Sequence, residues 1–170
     1  LIKNSNLQLI EDYLLNNQGI TENPKLTRYL VDDYLSRSEV RKSCEILSKI
    51  KSSIEDEYLS KFNIYCLIND KKTDEAILLM DLKKETGFKD KFFESKFNYL
   101  IGYENKPEIT LSEKTILDFH LSHRTNPEFK FIPKASTPEK IWKYLSTSKL
   151  LDNIQEVVLT DIDKISIIEK

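Results

Sequence analysis

Two histidines and two cysteines are the residues of this chain best suited to chemistry. His120 and His123 are three residues apart, a spacing that places both on one helix face and could let them share a metal ion. A stable site needs at least a third ligand, and no Cys or further His lies near them in the sequence. His120 also shares its face with Ile116 and Leu117. We therefore favour a packed or half-exposed imidazole for His120 and predict no metal and no cofactor.

Cys44 and Cys66 fall on the apolar faces of two consecutive predicted helices. A disulfide between them would imply an oxidising compartment, whereas two buried free thiols would be ordinary core packing. Counted from the predicted turn, the two positions are staggered by roughly 7 Å at about 1.5 Å per residue. This exceeds the usual Cα separation of a disulfide, about 5.5 Å. We favour free thiols and keep the disulfide as the alternative.

Catalytic motifs are missing from the sequence. There is no Gly-x-Ser-x-Gly elbow for a nucleophile, and three glycines are too few to build a phosphate-binding loop. The acid pairs, such as Asp32-Asp33, are typical of solvated helix surfaces and first turns. We predict that the chain has no enzymatic activity of its own.

Apolar residues recur at helical spacing along most of the chain, between clear start and stop signals. We predict nine to ten helices and no strand, and hence an all-α fold. The predicted starts are Asn23-Pro24, Ser38, Thr73, Ser112-Glu113, Thr137-Pro138 and Thr160-Asp161, with further helices near Leu7–Leu14, Tyr58 and Asp90. Gly19, Gly87 and Gly102 are predicted helix ends.

The tetrapeptide Ser-Lys-Phe-Asn occurs at Ser60–Asn63 and again at Ser95–Asn98, a shift of 35 residues. Ser38 and Thr73, both predicted to cap helices, are separated by the same interval. A period of this length fits one helix–turn–helix unit, and such units stack because one alone cannot bury its apolar face. We predict an α-solenoid of antiparallel helical hairpins in a single domain, residues 1–170. Its clearest repeats are 38–72 and 73–105, followed by an irregular part, 106–170.

A pair of helices, the second of which opens with Thr73-Asp74-Glu75-Ala76, in a period of 34–35, resembles the tetratricopeptide and pentatricopeptide superfamily. The resemblance covers roughly residues 38–103 and implies a right-handed solenoid. Only Ala76 clearly matches the small residues expected where such helices cross. A second similarity, around Tyr65-Cys66 and Ala76, is to uncharacterised exported helical-repeat proteins of alphaproteobacteria. It implies a bacterial protein of the periplasm or cell envelope, with a cytoplasmic location as the alternative.

A partner-binding site is predicted from the repeated tetrapeptide. Lys61, Asn63, Lys96 and Asn98 would form a regular row of donors on a concave surface, suited to an extended acidic or polar peptide. Solvated positions without a partner are the alternative. The net charge of −2 and the pI near 5.8 give no reason to expect nucleic acid, and no apolar run is long enough for membrane insertion.

We therefore predict a non-catalytic protein-interaction or assembly scaffold, with a protein or peptide partner and an open oligomeric state. The alternative is the helical scaffold of a larger envelope enzyme whose catalytic domain lies outside residues 1–170. A third hypothesis is single-stranded RNA binding, which pentatricopeptide repeats perform with polar residues such as Asp70 and Asn105. We expect the chain, which begins at Leu1, to be a fragment or a processed product.

Overall fold

The computed structural model describes residues 24–49 and 54–151, together with Leu9 and Asp12. These residues form seven α-helices and no strand, which confirms an all-α fold for this part of the chain. The helices are α1 (Pro24–Ser36), α2 (Val40–Ser48), α3 (Glu57–Asn69), α4 (Thr73–Glu85), α5 (Lys91–Leu100), α6 (Ile116–Arg124) and α7 (Glu139–Thr147). The described helices number seven rather than the nine to ten predicted. Of the helix predicted near Leu7–Leu14 only Leu9 and Asp12 are described, both helical, and the helix predicted from Thr160 lies outside the described residues.

Side-chain caps start three of the helices. Asp56 accepts the Leu59 N–H at 2.8 Å before α3, and Asp90 accepts the Phe93 N–H at 3.0 Å before α5. Thr115 caps α6 in the same way. Each cap satisfies an N–H that has no partner within its own helix. Aspartate at this position also faces the positive end of the helix dipole.

Three predicted helix starts are wrong in detail. Ser38 has a positive φ of 61° and bonds through Oγ to the hydroxyls of Thr147 and Ser148, while Glu39 precedes α2. Thr73 is the first residue of α4, which has no side-chain cap. Ser112 lies before α6 and donates its backbone N–H to the hydroxyl of Ser122 instead. Hydroxyl residues serve in turns as readily as in caps, so the residue type alone did not fix the start.

α3 is the central helix. It packs against α1, α2, α4 and α5, and its buried residues lie around most of its circumference. Phe62 is fully buried there and makes edge-to-face contacts with Tyr58 and Tyr65. One continuous hydrophobic core joins all seven helices.

The first and last described helices meet. α1 packs against α7, and Lys140 and Lys143 on α7 donate to Asp32 and Asp33 on α1, each at 2.9 Å. The Thr147 hydroxyl donates to the carbonyl of Ser36 at the end of the same contact. In a solenoid each repeat contacts only its neighbours. The predicted solenoid arrangement is therefore not shown, and α1 and α7 instead close the described helices into a bundle.

The 35-residue period is not kept by the helix starts. The residues before α3 and α5, Asp56 and Asp90, are 34 apart, and those before α2 and α4, Glu39 and Lys72, are 33 apart. The second Ser-Lys-Phe-Asn copy consequently lies one residue further along its helix than the first. One residue corresponds to a rotation of about 100° around the helix axis.

Candidate functional site

Lys61 lies inside the bundle. It is buried, and its ammonium donates to Asp90 Oδ2 at 2.8 Å, while Asp118 Oδ1 lies 4.0 Å away. The same nitrogen lies over the Phe93 ring, 6.0 Å from its centroid. Burial opposes the ionisation of Asp90, but the hydrogen bonds from Lys61 and from the Phe93 N–H outweigh it and lower the pKa of this carboxyl. The charge of Lys61 is thus balanced internally.

Lys96 is more deeply buried still, at 1% exposed. Its ammonium donates to the carbonyl oxygen of Glu108 and lies over the ring of Phe92. Burial lowers the pKa of Lys96, although the nearby carboxylate of Glu108 opposes this shift. The hydrogen bond ties the segment between α5 and α6 down onto α5.

The expectation that both lysines present free donors to solvent is therefore wrong. Asn63 and Asn98 are half-buried, and Asn98 donates to the carboxylate of Glu104 at 3.2 Å. Buried lysines are found almost only with partners, and these partners come from elements 12 to 57 residues away, which the tetrapeptide could not reveal. That Lys61, Asn63, Lys96 and Asn98 bind a partner stays a prediction.

Cys44 and Cys66 form a disulfide, with Cα atoms 5.4 Å apart, so the preference for free thiols is wrong. The expected offset of Cys44 and Cys66 along the two helix axes was counted from a tight turn after a helix that ends near Ile50. α2 ends at Ser48 and α3 begins only at Glu57. This longer connection lets the two helices slide into a register that brings the thiols together. Both residues are buried, so the bond fastens α2 to α3 within the core.

A chain of hydrogen bonds crosses the interior between α3, α6 and α7. Tyr65 OH lies 2.7 Å from His120 Nε2, and Tyr144 OH lies 2.8 Å from both His120 Nδ1 and His123 Nδ1. Arg124 Nη1 donates to Tyr65 OH at 2.8 Å from the outer end. The chain therefore joins five side chains from three helices.

One assignment of donors and acceptors gives each tyrosine hydroxyl of this hydrogen-bond chain an acceptor. Arg124 donates to Tyr65, Tyr65 to His120 Nε2, His120 Nδ1–H to Tyr144, and Tyr144 to His123 Nδ1. This assignment requires a neutral His120 with its proton on Nδ1. Burial, followed by the positive charge of Arg124, lowers the pKa of His120 to about 3, in agreement with the neutral form.

This chain of hydrogen-bonded side chains is poorly suited to acid–base or nucleophilic chemistry. Burial raises the pKa of Tyr144 to about 12 and also raises that of Tyr65, so neither phenolate is available near neutral pH. A general base works best with a pKa near the operating pH, and that of His120 is far below it. The arrangement orients and joins helices. His120 is buried, as the apolar face that it shares with Ile116 and Leu117 predicts, and His123 is half-buried.

Asp118 is a buried carboxylate, 4% exposed. Its Oδ1 accepts no hydrogen bond, and the Lys61 ammonium lies 4.0 Å from it. Burial raises the pKa of Asp118, although Lys61 partly offsets this shift. Among the described residues no group of three or more His, Cys, Asp or Glu side chains is arranged to hold a metal ion.

The outer face of α4 carries two exposed apolar side chains. Ala76 and Met80 point into the core and are fully buried, whereas Leu78 and Leu82 are 62% and 49% exposed. Residues two apart differ by about 200° around a helix, which places the two leucines opposite the core. They are four residues apart and therefore adjacent on that face. We call Leu78 and Leu82 with the acids around them the α4 outer face.

Acidic side chains border the two leucines. Asp74, Glu75, Asp81 and Glu85 all lie within about 80° of the middle of this face on a helical wheel. Glu75 has a loose pairing with Lys72 at 3.8 Å. Within the described part of the chain, Asp74, Asp81 and Glu85 have no ion-pair partner, and all three are exposed. The face is thus apolar in the middle and negative at its edges.

The sequence contains a signal for this face. Leu78 and Leu82 lie on the opposite side of α4 from Ala76 and Met80, so a helix with both pairs is apolar on two sides. A helix at the surface of the bundle cannot bury both sides.

Comparison with family models, with curated proteins and with solved structures found no match to this chain. None of the helices in residues 24–49 and 54–151 combines the length and the hydropathy needed to cross a bilayer.

Proposed function

We propose that this chain is a non-catalytic protein-interaction domain that binds its partner through the α4 outer face. The observation that carries the proposal is the exposure of Leu78 and Leu82 on the side of α4 opposite the core. Covering a leucine side chain contributes about 1.5–3 kcal/mol, a gain that this chain leaves unused in the described structure. A partner that covers both leucines obtains it.

The interior supports the non-catalytic part of the proposal. Lys96, His120 and Tyr144 have shifted pKa values, and each is engaged with other side chains or carbonyls of the bundle. Such groups mark functional sites when they line a cleft, but ion-pair and hydrogen-bond networks that hold a fold together perturb them equally. Here they join helices.

A location in the periplasm or cell envelope is part of the same proposal. What supports it is the Cys44–Cys66 disulfide, because such bonds persist in oxidising compartments and are rare in the cytosol. Kinship with the tetratricopeptide superfamily is supported only by the intervals of 33 and 34 residues between alternate helix starts, and it too stays a proposal.

Site-specific photo-crosslinking in the cells that make this protein tests the docking face. A benzophenone amino acid replaces Leu78, and Glu128, exposed in the turn after α6, takes the same label as the control. We expect a discrete crosslinked protein from position 78 that is absent from position 128. Adding Leu82→Asp to the label at 78 removes that product, because the charge disrupts the shared apolar contact.

The crosslinked partner is then purified, and its affinity for the unlabelled domain is measured. We expect Leu78→Asp with Leu82→Asp to weaken binding about 100-fold or more, since loss of the burial of each leucine costs about 1.5–3 kcal/mol. Circular dichroism of the double variant serves as the folding control. Identical products from positions 78 and 128, or unchanged affinity of the folded double variant, would refute the proposed docking face.

A further inference from the structure

We infer that the partner of the α4 outer face is an amphipathic helix with a basic border. This inference rests on the proposed docking face and adds the chemical class of its ligand. Leu78 and Leu82 stand one helical turn apart, which matches apolar side chains spaced four residues apart on a helical ligand. The surrounding carboxylates then fix the sign of the charges that the ligand must carry.

The unpaired acids are the observation that selects a basic ligand. Asp74, Asp81 and Glu85 are exposed around the leucines and have no ion-pair partner within the described residues. The lysines of the same helix are used elsewhere: Lys83 donates to the Ile54 carbonyl and Lys84 pairs with Glu94. A ligand with Lys or Arg beside its apolar face meets complementary charge, and an acidic ligand meets repulsion.

The same charges disfavour the chain's own segments and a second copy as occupants. Residues 1–23 contain one lysine against three acids, and residues 152–170 contain two lysines against five acids. Two copies meeting through this face would set the same carboxylates against each other, because a two-fold interface uses one patch twice. Anionic lipid surfaces and nucleic acids are disfavoured by the same repulsion.

Fluorescence anisotropy with synthetic helical peptides tests this inference. The basic probe has leucines at helical spacing flanked by lysines, and the acidic probe has glutamates in the same places. We expect the basic probe to bind at least about tenfold more tightly than the acidic one, with affinity that falls as salt rises. Leu78→Ser with Leu82→Ser, which removes the apolar contact without adding charge, should abolish binding of the basic probe.

A matched pair of charge variants separates local from global electrostatics. Asp74→Asn, Asp81→Asn and Glu85→Gln together should weaken binding about tenfold and flatten its salt dependence. Glu55→Gln, Glu113→Gln and Glu128→Gln remove the same three charges from exposed sites elsewhere and should change little. An equal loss in both triple variants overturns the inference, because attraction by the net charge alone would explain it.

Other occupants give distinct results. An intramolecular crosslink from position 78, or a dimer in sedimentation that Leu78→Asp dissociates, overturns the basic partner in favour of the chain itself. A natural crosslinked partner that lacks a basic amphipathic helix, while Leu78→Asp still disrupts its binding, refutes this inference and leaves the proposed docking face standing. Loss of that dependence on Leu78 refutes the docking face itself.

Discussion

The imidazole of His120 is held between two phenols from two other helices. Both of its nitrogens are engaged, with Tyr65 and Tyr144, so protonation would have to replace an existing hydrogen bond in a buried place. Lys61 is the opposite case, because a buried cation is kept there by the carboxylates of Asp90 and Asp118. In both cases the partners come from distant helices. Residue type and spacing predicted a packed histidine but not a packed lysine.

Acid should destabilise the fold through His120. Its pKa is about 3 in the folded chain against an ordinary value of 6.5. Below pH 6.5 the unfolded chain therefore binds a proton that the folded chain does not, and stability falls as the pH falls towards 3. Between pH 7 and 4.5 we expect a loss of about 2–3 kcal/mol from this group.

Urea unfolding as a function of pH measures this loss. His120→Gln removes the titrating group, and its stability should depend less on pH over the same range, whatever its stability at pH 7. His123→Gln is the control, because His123 is only half-buried and its loss should leave most of the slope. The explanation fails if His120→Gln and the native sequence have parallel pH profiles, or if NMR shows His120 titrating above pH 5 in the folded protein.

At the level of elements, helix type and approximate extent could be predicted, whereas register could not. Pro24 does begin α1, and Gly87 and Gly102 follow α4 and α5 with positive φ, as glycine after a helix predicts. The offset between α2 and α3 depends on where α2 stops and how the connection runs. Apolar periodicity carries no information on the offset between two helices along their axes. The pairing of Cys44 with Cys66 could therefore not be predicted from it.

The disulfide should contribute strongly to the stability of the α2–α3 pair. It joins residues 22 apart in sequence, and closing a loop of that length stabilises a fold by about 3 kcal/mol in the chain-entropy model. We expect the reduced protein, and Cys44→Ala with Cys66→Ala, to lose about this much free energy of unfolding. Chemical denaturation of oxidised and reduced samples of the same sequence measures it.

The mass of the unreduced protein provides the control for this prediction. Alkylation of the unfolded, unreduced chain should add no label, and reduction should raise the mass by about 2 Da before two labels are taken up. Uptake of two labels without reduction would show that Cys44 and Cys66 are free thiols. That result would also remove the support for an oxidising compartment.

Across the whole molecule, the contact between α1 and α7 decides the architecture, and nothing local in the sequence announces it. Asp32-Asp33 are the acid pair that we expected to be merely solvated, yet each pairs with a lysine of α7 more than 100 residues away. The tetrapeptide repeat, at residues 60–63 and 95–98, predicts an open stack because it lies between α1 and α7 and includes neither of these helices. Long-range closure is a property of the packed core rather than of any period.

Stepwise truncation distinguishes the closed bundle from an open stack. The chain ending at Leu151 retains α7, and the chain ending at Ala135 lacks it; comparing the two isolates α7 from residues 152–170. In a bundle, loss of α7 uncovers α1, where Leu30, Val31 and Leu35 are fully buried, so the shorter chain should unfold cooperatively at much lower urea. Amide exchange in α1 should quicken as much as exchange in α6.

In a solenoid the loss would stay local, because distant repeats share no contacts. Retention of slow exchange in α1 by the chain ending at Ala135, with an unchanged unfolding midpoint, would contradict the closed bundle and restore the stacked arrangement.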